Sequence, residues 1–184
     1  MYTLEEVKNY CKLCQKCDLY KNRTNVVFGE GNVKADIMFI GEGPGYNEDI
    51  QGRPFVGVAG QLLTKMIKAI NLDRKDVYIT NIVKCRPPNN RNPFEKESEK
   101  CIEYLRWQVK LINPKIIVCL GAVSGRNIIS PNFRVTMDRG KWFKKGTFNI
   151  IATFHPAAIL RDKSKKKPAW DDFKSIKAKY NELT

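Results

Sequence analysis

Four short runs of this chain are mostly apolar and rich in β-branched residues: Asp36–Ile40, Val77–Ile82 (VYITNI), Lys115–Leu120 (KIIVCL) and Phe148–Thr153 (FNIIAT). Continuous rather than alternating hydrophobicity marks strands buried on both faces, as in parallel sheets. Between the runs the apolar period lengthens. Gln61–Ile70, roughly Pro93–Ile112 and a shorter piece near Val123–Ile129 read as helices. Pro168–Leu183 reads as another, with Trp170, Phe173, Ile176 and Lys177 spaced to give it one apolar face. Alternating strands and helices predict an α/β fold: a three-layer α/β/α sandwich around a central four-stranded, mostly parallel sheet. A length of 184 residues suits one domain, residues 1–184, large enough for a substantial core.

The residues just past each run point to a site. After the first comes Gly41-Glu42-Gly43-Pro44, and the second passes through Asn81 into Lys84-Cys85-Arg86-Pro87-Pro88. The third leads to Gly121-Ala122, and the fourth to Phe154-His155-Pro156, which holds the only histidine. Parallel strands bring their C-terminal ends to one edge, so these groups are expected to share a crevice. Half of the twelve glycines fall between Gly41 and Gly60, in GEGPGYNEDIQGRPFVGVAG. Glycines let backbone approach a ligand closely, and bare N–H groups cradle electron-rich atoms.

Charge then names a partner class. Thirty-three Lys and Arg against nineteen Asp and Glu leave a net charge of +14. From Arg139 onward there are 12 basic and 4 acidic residues, so +8 of that total lies in the last quarter of the chain. Such a field attracts polyanions, nucleic acid before an anionic membrane. No stretch approaches the roughly 20 apolar residues of a membrane span, and the N-terminal residues form no secretory leader. A cytoplasmic monomer with reduced thiols is expected.

Six cysteines are then better read as ligands than as disulfides. Cys11, Cys14 and Cys17 form two interlocked C-x-x-C pairs, Cys85 follows the second strand, and Cys101 lies sixteen residues later. Four thiolates from two distant segments make a sulfur cage suited to zinc or to an iron–sulfur cluster. Spacing does not choose between these, nor does it say which of the first three thiols is spare. Cys119, inside an apolar strand, reads as a small core residue.

Together GEGPGYNED, GRPFVGVAGQLL, TNIVKCRPPNNRNP and FHPAAILR resemble the family 4 uracil-DNA glycosylases, in order and from Cys14 to Arg161. The resemblance implies a [4Fe–4S] cluster on Cys14, Cys17, Cys85 and Cys101, leaving Cys11 spare. It implies a DNA repair hydrolase that removes uracil from single- or double-stranded DNA and leaves an abasic site. By the same likeness Phe55 stacks on the flipped base, Asn81 pairs with uracil O4 and N3–H, and Glu48 guards the C5 edge. An amide carries both a donor and an acceptor, which suits uracil and mismatches cytosine.

His155 resembles the histidine that donates to uracil O2, aided by backbone around Gly43. Gly43 stands where family 1 enzymes have an aspartate. The attacking water is therefore left to Glu42, Glu48 or Asn90. Ala157–Arg161 resembles a loop that enters the minor groove, with Ile159 or Leu160 as the wedge and Arg161 and Lys163–Lys167 near phosphates. Two other classes compete. A non-catalytic iron–sulfur DNA-binding or redox protein on the same fold would not need Phe55, Asn81 and His155 together. A nucleotidase or kinase would need a GxxxxGK[ST] loop, which the chain lacks.

Overall fold

The structure, a computed structural model, describes residues 2–184. Its helices are α1 (Leu4–Lys12), α2 (Tyr46–Gln51), α3 (Val58–Ala69), α4 (Glu95–Ile112), α5 (Ala122–Ile128), α6 (Val135–Asp138), α7 (Pro156–Arg161) and α8 (Lys166–Leu183). Its strands are β1 (Glu30–Gly31), β2 (Ile37–Gly41), β3 (Tyr78–Asn81), β4 (Ile116–Leu120), β5 (Trp142–Lys145) and β6 (Phe148–Thr153). They form one sheet in the order β1-β3-β2-β4-β6-β5.

The four central strands are the four apolar runs, and all pair in parallel. The sheet nevertheless has six strands rather than four, because an antiparallel strand is added at each edge. β1 is only two residues long, too short to leave a pattern. β5 joins β6 through the two-residue turn Gly146-Thr147, where Gly146 takes φ 57°. A positive φ at the first central position is what tight hairpins require, and glycine supplies it without strain.

Side chains of a strand point alternately to opposite faces, and both faces here are covered. Met38, Ile40, Ile117, Cys119 and Ile150 pack with Val7 and Cys11 of α1 and with Cys101, Leu105 and Ile112 of α4. Ile37, Phe39, Ile79, Val118 and Ile151 pack instead with Leu63 and Ile67 of α3 and Phe173 and Ile176 of α8. Helix, sheet and helix give the expected three layers. Cys119 is wholly buried, as a core residue would be.

Local signals set the helix ends. Thr3 and Glu6 form a reciprocal capping box that starts α1. Asn113, left-handed at φ 51°, stops α4. α8 is fastened to the sheet by Asp172, which accepts from Arg139 at 2.6 and 2.8 Å and from Thr153 Oγ1 at 2.6 Å. Among the described residues no helix is long and apolar enough to cross a membrane.

Candidate active site and cysteine cavity

The C-terminal ends of β2, β3, β4 and β6 open onto a cleft of about 540 Å³. Glu42, Gly43, Glu48, Phe55, Asn81, Asn90, His155 and Arg161 all line it, together with Gly121 at the end of β4. One cleft therefore gathers eight residues singled out in the sequence. Ile159 and Leu160 do not line it. Ile159 is 1% exposed and packs with Phe154 and Ala169, whereas Leu160 is 45% exposed. Ile159 is thus core, and only Leu160 is free to act as a wedge.

The glycine-rich stretch is not one loop. It folds into α2, the turn carrying Phe55, and the start of α3. Phe55 is buried at φ 52°, a conformation that costs a non-glycine residue about 1–2 kcal/mol, so the surroundings must hold it. Glu48 Oε1 accepts the N–H groups of Val56 and Gly57 at 2.8 and 2.7 Å. Arg74 donates to the carbonyls of Pro54 and Phe55, the latter at 2.9 Å, and pairs with Glu30 at 2.8 Å. Gly60 lets α3 press against this turn, since a Cβ there would stand 2.0 Å from the Phe55 carbonyl. At Gly41 a Cβ would meet both the Phe55 ring and Asn81 Oδ1, at 2.5 and 2.4 Å. Glycine at Gly41 keeps that corner open.

Asn81 is 1% exposed, and its Oδ1 is the one buried side-chain polar atom among the described residues with no hydrogen-bond partner. An orphaned buried acceptor is expensive. Its presence on a cleft wall is the signature of a group kept for a ligand. Its backbone carbonyl is engaged, accepting from the Lys84 ammonium at 2.7 Å. Lys84 is fully buried and also donates to Thr80 Oγ1 and to Gln108 Oε1 of α4, both at 2.6 Å. Burial lowers its pKa to about 8, while Cys101 and Cys11 nearby oppose that shift.

His155 caps α7. Its Nδ1 accepts the Ala157 N–H at 3.1 Å, so the neutral ring carries its proton on Nε2. Burial, and then the Arg161 charge, lower its pKa to about 4, against a smaller opposing pull from Glu48. The ring lies 5.6 Å from Phe55, tilted by 31°. Burial raises the Glu42 carboxyl, and Arg161 partly offsets it. Asn90 is exposed, and its Oδ1 already accepts Arg86 Nε at 2.7 Å.

A second cavity lies between α1, the turn after it, and α4. Cys11, Cys14, Cys17, Cys85 and Cys101 all line it, and all are free thiols. Burial raises the Cys11, Cys17, Cys85 and Cys101 thiols, Cys101 to about 12. Arg23 braces the segment, donating to Cys85 Sγ at 3.3 Å and to the carbonyls of Cys14 and Lys12, both at 2.8 Å. No three described His, Cys, Asp or Glu side chains are arranged to hold a single metal ion.

The clamp on Phe55 and the buried Lys84–Gln108 pair were not legible in sequence, where lysine and arginine read as surface charge. Both are long-range: Glu30 meets Arg74, and Thr80 and Lys84 meet Gln108.

One strand-end cleft thus gathers a buried amide with an unpartnered oxygen, a neutral histidine and an aromatic ring. Comparison with known proteins agrees on class. The family model described as "Uracil DNA glycosylase superfamily" matches residues 28–174. The type-4 uracil-DNA glycosylase of Archaeoglobus fulgidus is 46% identical, over 96% of this chain and 92% of its own. That of Sulfurisphaera tokodaii is 50% identical over 96% and 84%, and that of Thermotoga maritima 47% over 89% and 88%. The chain belongs to the type-4 uracil-DNA glycosylases, within that superfamily.

Proposed function

We propose that this protein is a DNA repair glycosylase that flips uracil out of DNA and hydrolyses its N-glycosidic bond, leaving an abasic site. The observation that carries this is the unpartnered Asn81 Oδ1 on the same cleft wall as Phe55 and a neutral His155. A base within a stacked duplex is out of reach, so it is first extruded, at a cost of a few kcal/mol. Phe55 then takes its face. Asn81 Oδ1 accepts N3–H while the amide N–H donates to O4, and a cytosine meets like against like. Glu48, fixed by the Val56 and Gly57 N–H groups, stands at the C5 edge.

As the C1′–N bond breaks, its electron pair goes to the base, leaving a uracil anion and a cation-like sugar. His155 donates from Nε2 to O2, where that charge gathers, with backbone around Gly43 assisting. A neutral donor gives the anion a hydrogen bond without a mobile proton. Water then adds to C1′ and gives up a proton. Glu42 is best suited to receive it, because its carboxyl is raised by burial while Asn90 and Glu48 are engaged elsewhere. On the DNA side Leu160 serves as the wedge, and Arg161 and Lys163–Lys167 meet phosphates.

Cys14, Cys17, Cys85 and Cys101, which line one cavity, would hold a [4Fe–4S] cluster, leaving Cys11, a buried residue of α1, spare. Each iron of a cluster takes its own thiolate, so the sulfurs need not converge on one point as they do around a single ion. When bound, the cluster ties the N-terminal segment to the loop after Asn81, a structural task. Iron and sulfide analysis tests it: Cys101→Ser is expected to lose both, and Cys11→Ser to keep them. Activity is tested by incubating the protein with a uracil-containing duplex in EDTA and scoring abasic sites. Abasic sites are expected, and their absence at every protein concentration would refute the assignment.

A further inference from the structure

Two large aromatic side chains stand in solvent beside the cleft. Tyr46 is 57% exposed and Phe94 61% exposed. Each is backed by a guanidinium that a second group holds in place. Arg86 lies 5.1 Å from the centre of the Tyr46 ring, and its Nε donates to Asn90 Oδ1, on the cleft wall. Arg91 lies 3.7 Å from the centre of the Phe94 ring, donates to Glu97 at 2.7 and 2.8 Å, and lines the cleft itself. Tyr46 directly follows Gly45, another cleft residue. Each ring is therefore a cation-backed, solvent-exposed face on a segment that also lines the cleft.

We propose that the Tyr46–Arg86 and Phe94–Arg91 pairs form a platform on which a nucleobase next to the expelled uracil stacks, so that this enzyme takes uracil best from a locally unpaired strand. The inference rests on the glycosylase reading above and extends it to the form of the substrate. Every base offers a π-face, and cationic grooves with exposed rings are the general means of holding single strands. A net charge of +14 supplies the complementary field. A base that remains in a duplex is already stacked on its neighbours, so its face is not available to either ring. Leu160 and Arg161 of α7, an aliphatic side chain and a cation, offer no such face.

The test compares three uracil oligonucleotides: a single strand, the same strand in duplex, and the single strand with abasic spacers on both sides of the uracil. The spacers keep the phosphates and remove the neighbouring bases. Affinity is read by fluorescence anisotropy, and KM and kcat by excision. Wild-type protein is expected to bind the intact single strand roughly 10-fold to 100-fold more tightly than the spacer strand. Tyr46→Ala and Phe94→Ala should lose most of that advantage, raising KM on the single strand while kcat and duplex KM hold. Tyr46→Phe should retain it.

Equal weakening of intact and spacer strands by the alanine variants, or an equal effect on the duplex, would overturn the proposal. The readouts separate the two levels of inference. Absence of excision with the binding contrast intact would sink the glycosylase reading alone. Excision without the contrast would sink the platform alone.

Discussion

His155 offers a pH experiment in which the sign of the effect decides the chemistry. Its Nδ1 holds the Ala157 N–H, and burial with the nearby Arg161 charge brings its pKa from 6.5 to about 4. The imidazole is thus neutral across the working range, with its only proton on Nε2. Removing it by His155→Ala takes away one preorganised donor to the leaving anion, which should slow excision by about 100-fold to 1,000-fold. In wild-type protein no rate loss from this group is expected as pH falls from about 8 to about 5, with loss only near pH 4.

Folding stability must follow the same group. The unfolded chain binds a proton below about 6.5 while the native ring resists it until about 4, so stability falls as pH drops through that window. The drop in pKa corresponds to about 3 kcal/mol, absent above the window's upper end and complete below its lower end. Urea melts of wild type and His155→Ala at stepped pH isolate it, because only the wild type carries the penalty. Single-turnover excision under the same buffers reads the catalytic side. A wild-type rate that declines as pH rises through about 6.5 would mean that an imidazolium is required, and the reasoning from tautomer and burial would be wrong.

Asn81→Asp leaves a group that accepts but does not donate, so uracil excision should fall by at least about 100-fold, checked on matched uracil and cytosine oligonucleotides. Gly60→Ala drives a Cβ into the Phe55 carbonyl, and about 1–3 kcal/mol of stability should be lost, measured by urea melts. KM for uracil DNA should rise with it, since the stacking ring moves. Lys84→Met keeps the stem but removes the charged donor to Gln108 Oε1, Thr80 Oγ1 and the Asn81 carbonyl. A loss of about 2–3 kcal/mol by thermal melting is expected. Neutralising Lys165–Lys167 should flatten the plot of log K against log salt, by about 0.9 for each phosphate that the protein no longer neutralises.

The central sheet could be read from sequence because its strands are buried on both faces and must be apolar throughout. β6 matches its apolar run residue for residue, and the other three differ by one position at one or both ends. The edge strands were invisible for the opposite reason: Glu30-Gly31 and Trp142-Phe-Lys-Lys145 face solvent in part and carry no period. α1 had a usable signal in Thr3-x-x-Glu6, the capping box, and α7 had one in Pro156 at its first position. α2 was masked by glycines at both ends.

Within the site, residues at strand ends were legible because topology alone gathers them. Their supports were not. Arg74, Glu30, Gln108 and Lys84 act across 24 to 44 positions of chain, and a lysine beside a cysteine gives no hint that it is wholly buried. The choice between Ile159 and Leu160 also needed three dimensions, because neighbouring apolar residues on one short helix differ only in which side they face.

The strand order has a consequence for how the cleft comes into being. β2 lies between β3 and β4, and β4 pairs onward with β6, so no two neighbouring central strands are joined by a short turn. Gly41 meets Asn81, and Ile37 meets Ile116, only when the chain between them has looped back. Contacts of such long sequence separation are slow to form. No fragment shorter than Phe55 to His155 holds the aromatic ring, the amide and the imidazole together. Recovery of excision during refolding should therefore trail recovery of helical circular dichroism, making catalysis a late clock of the chain's own closure.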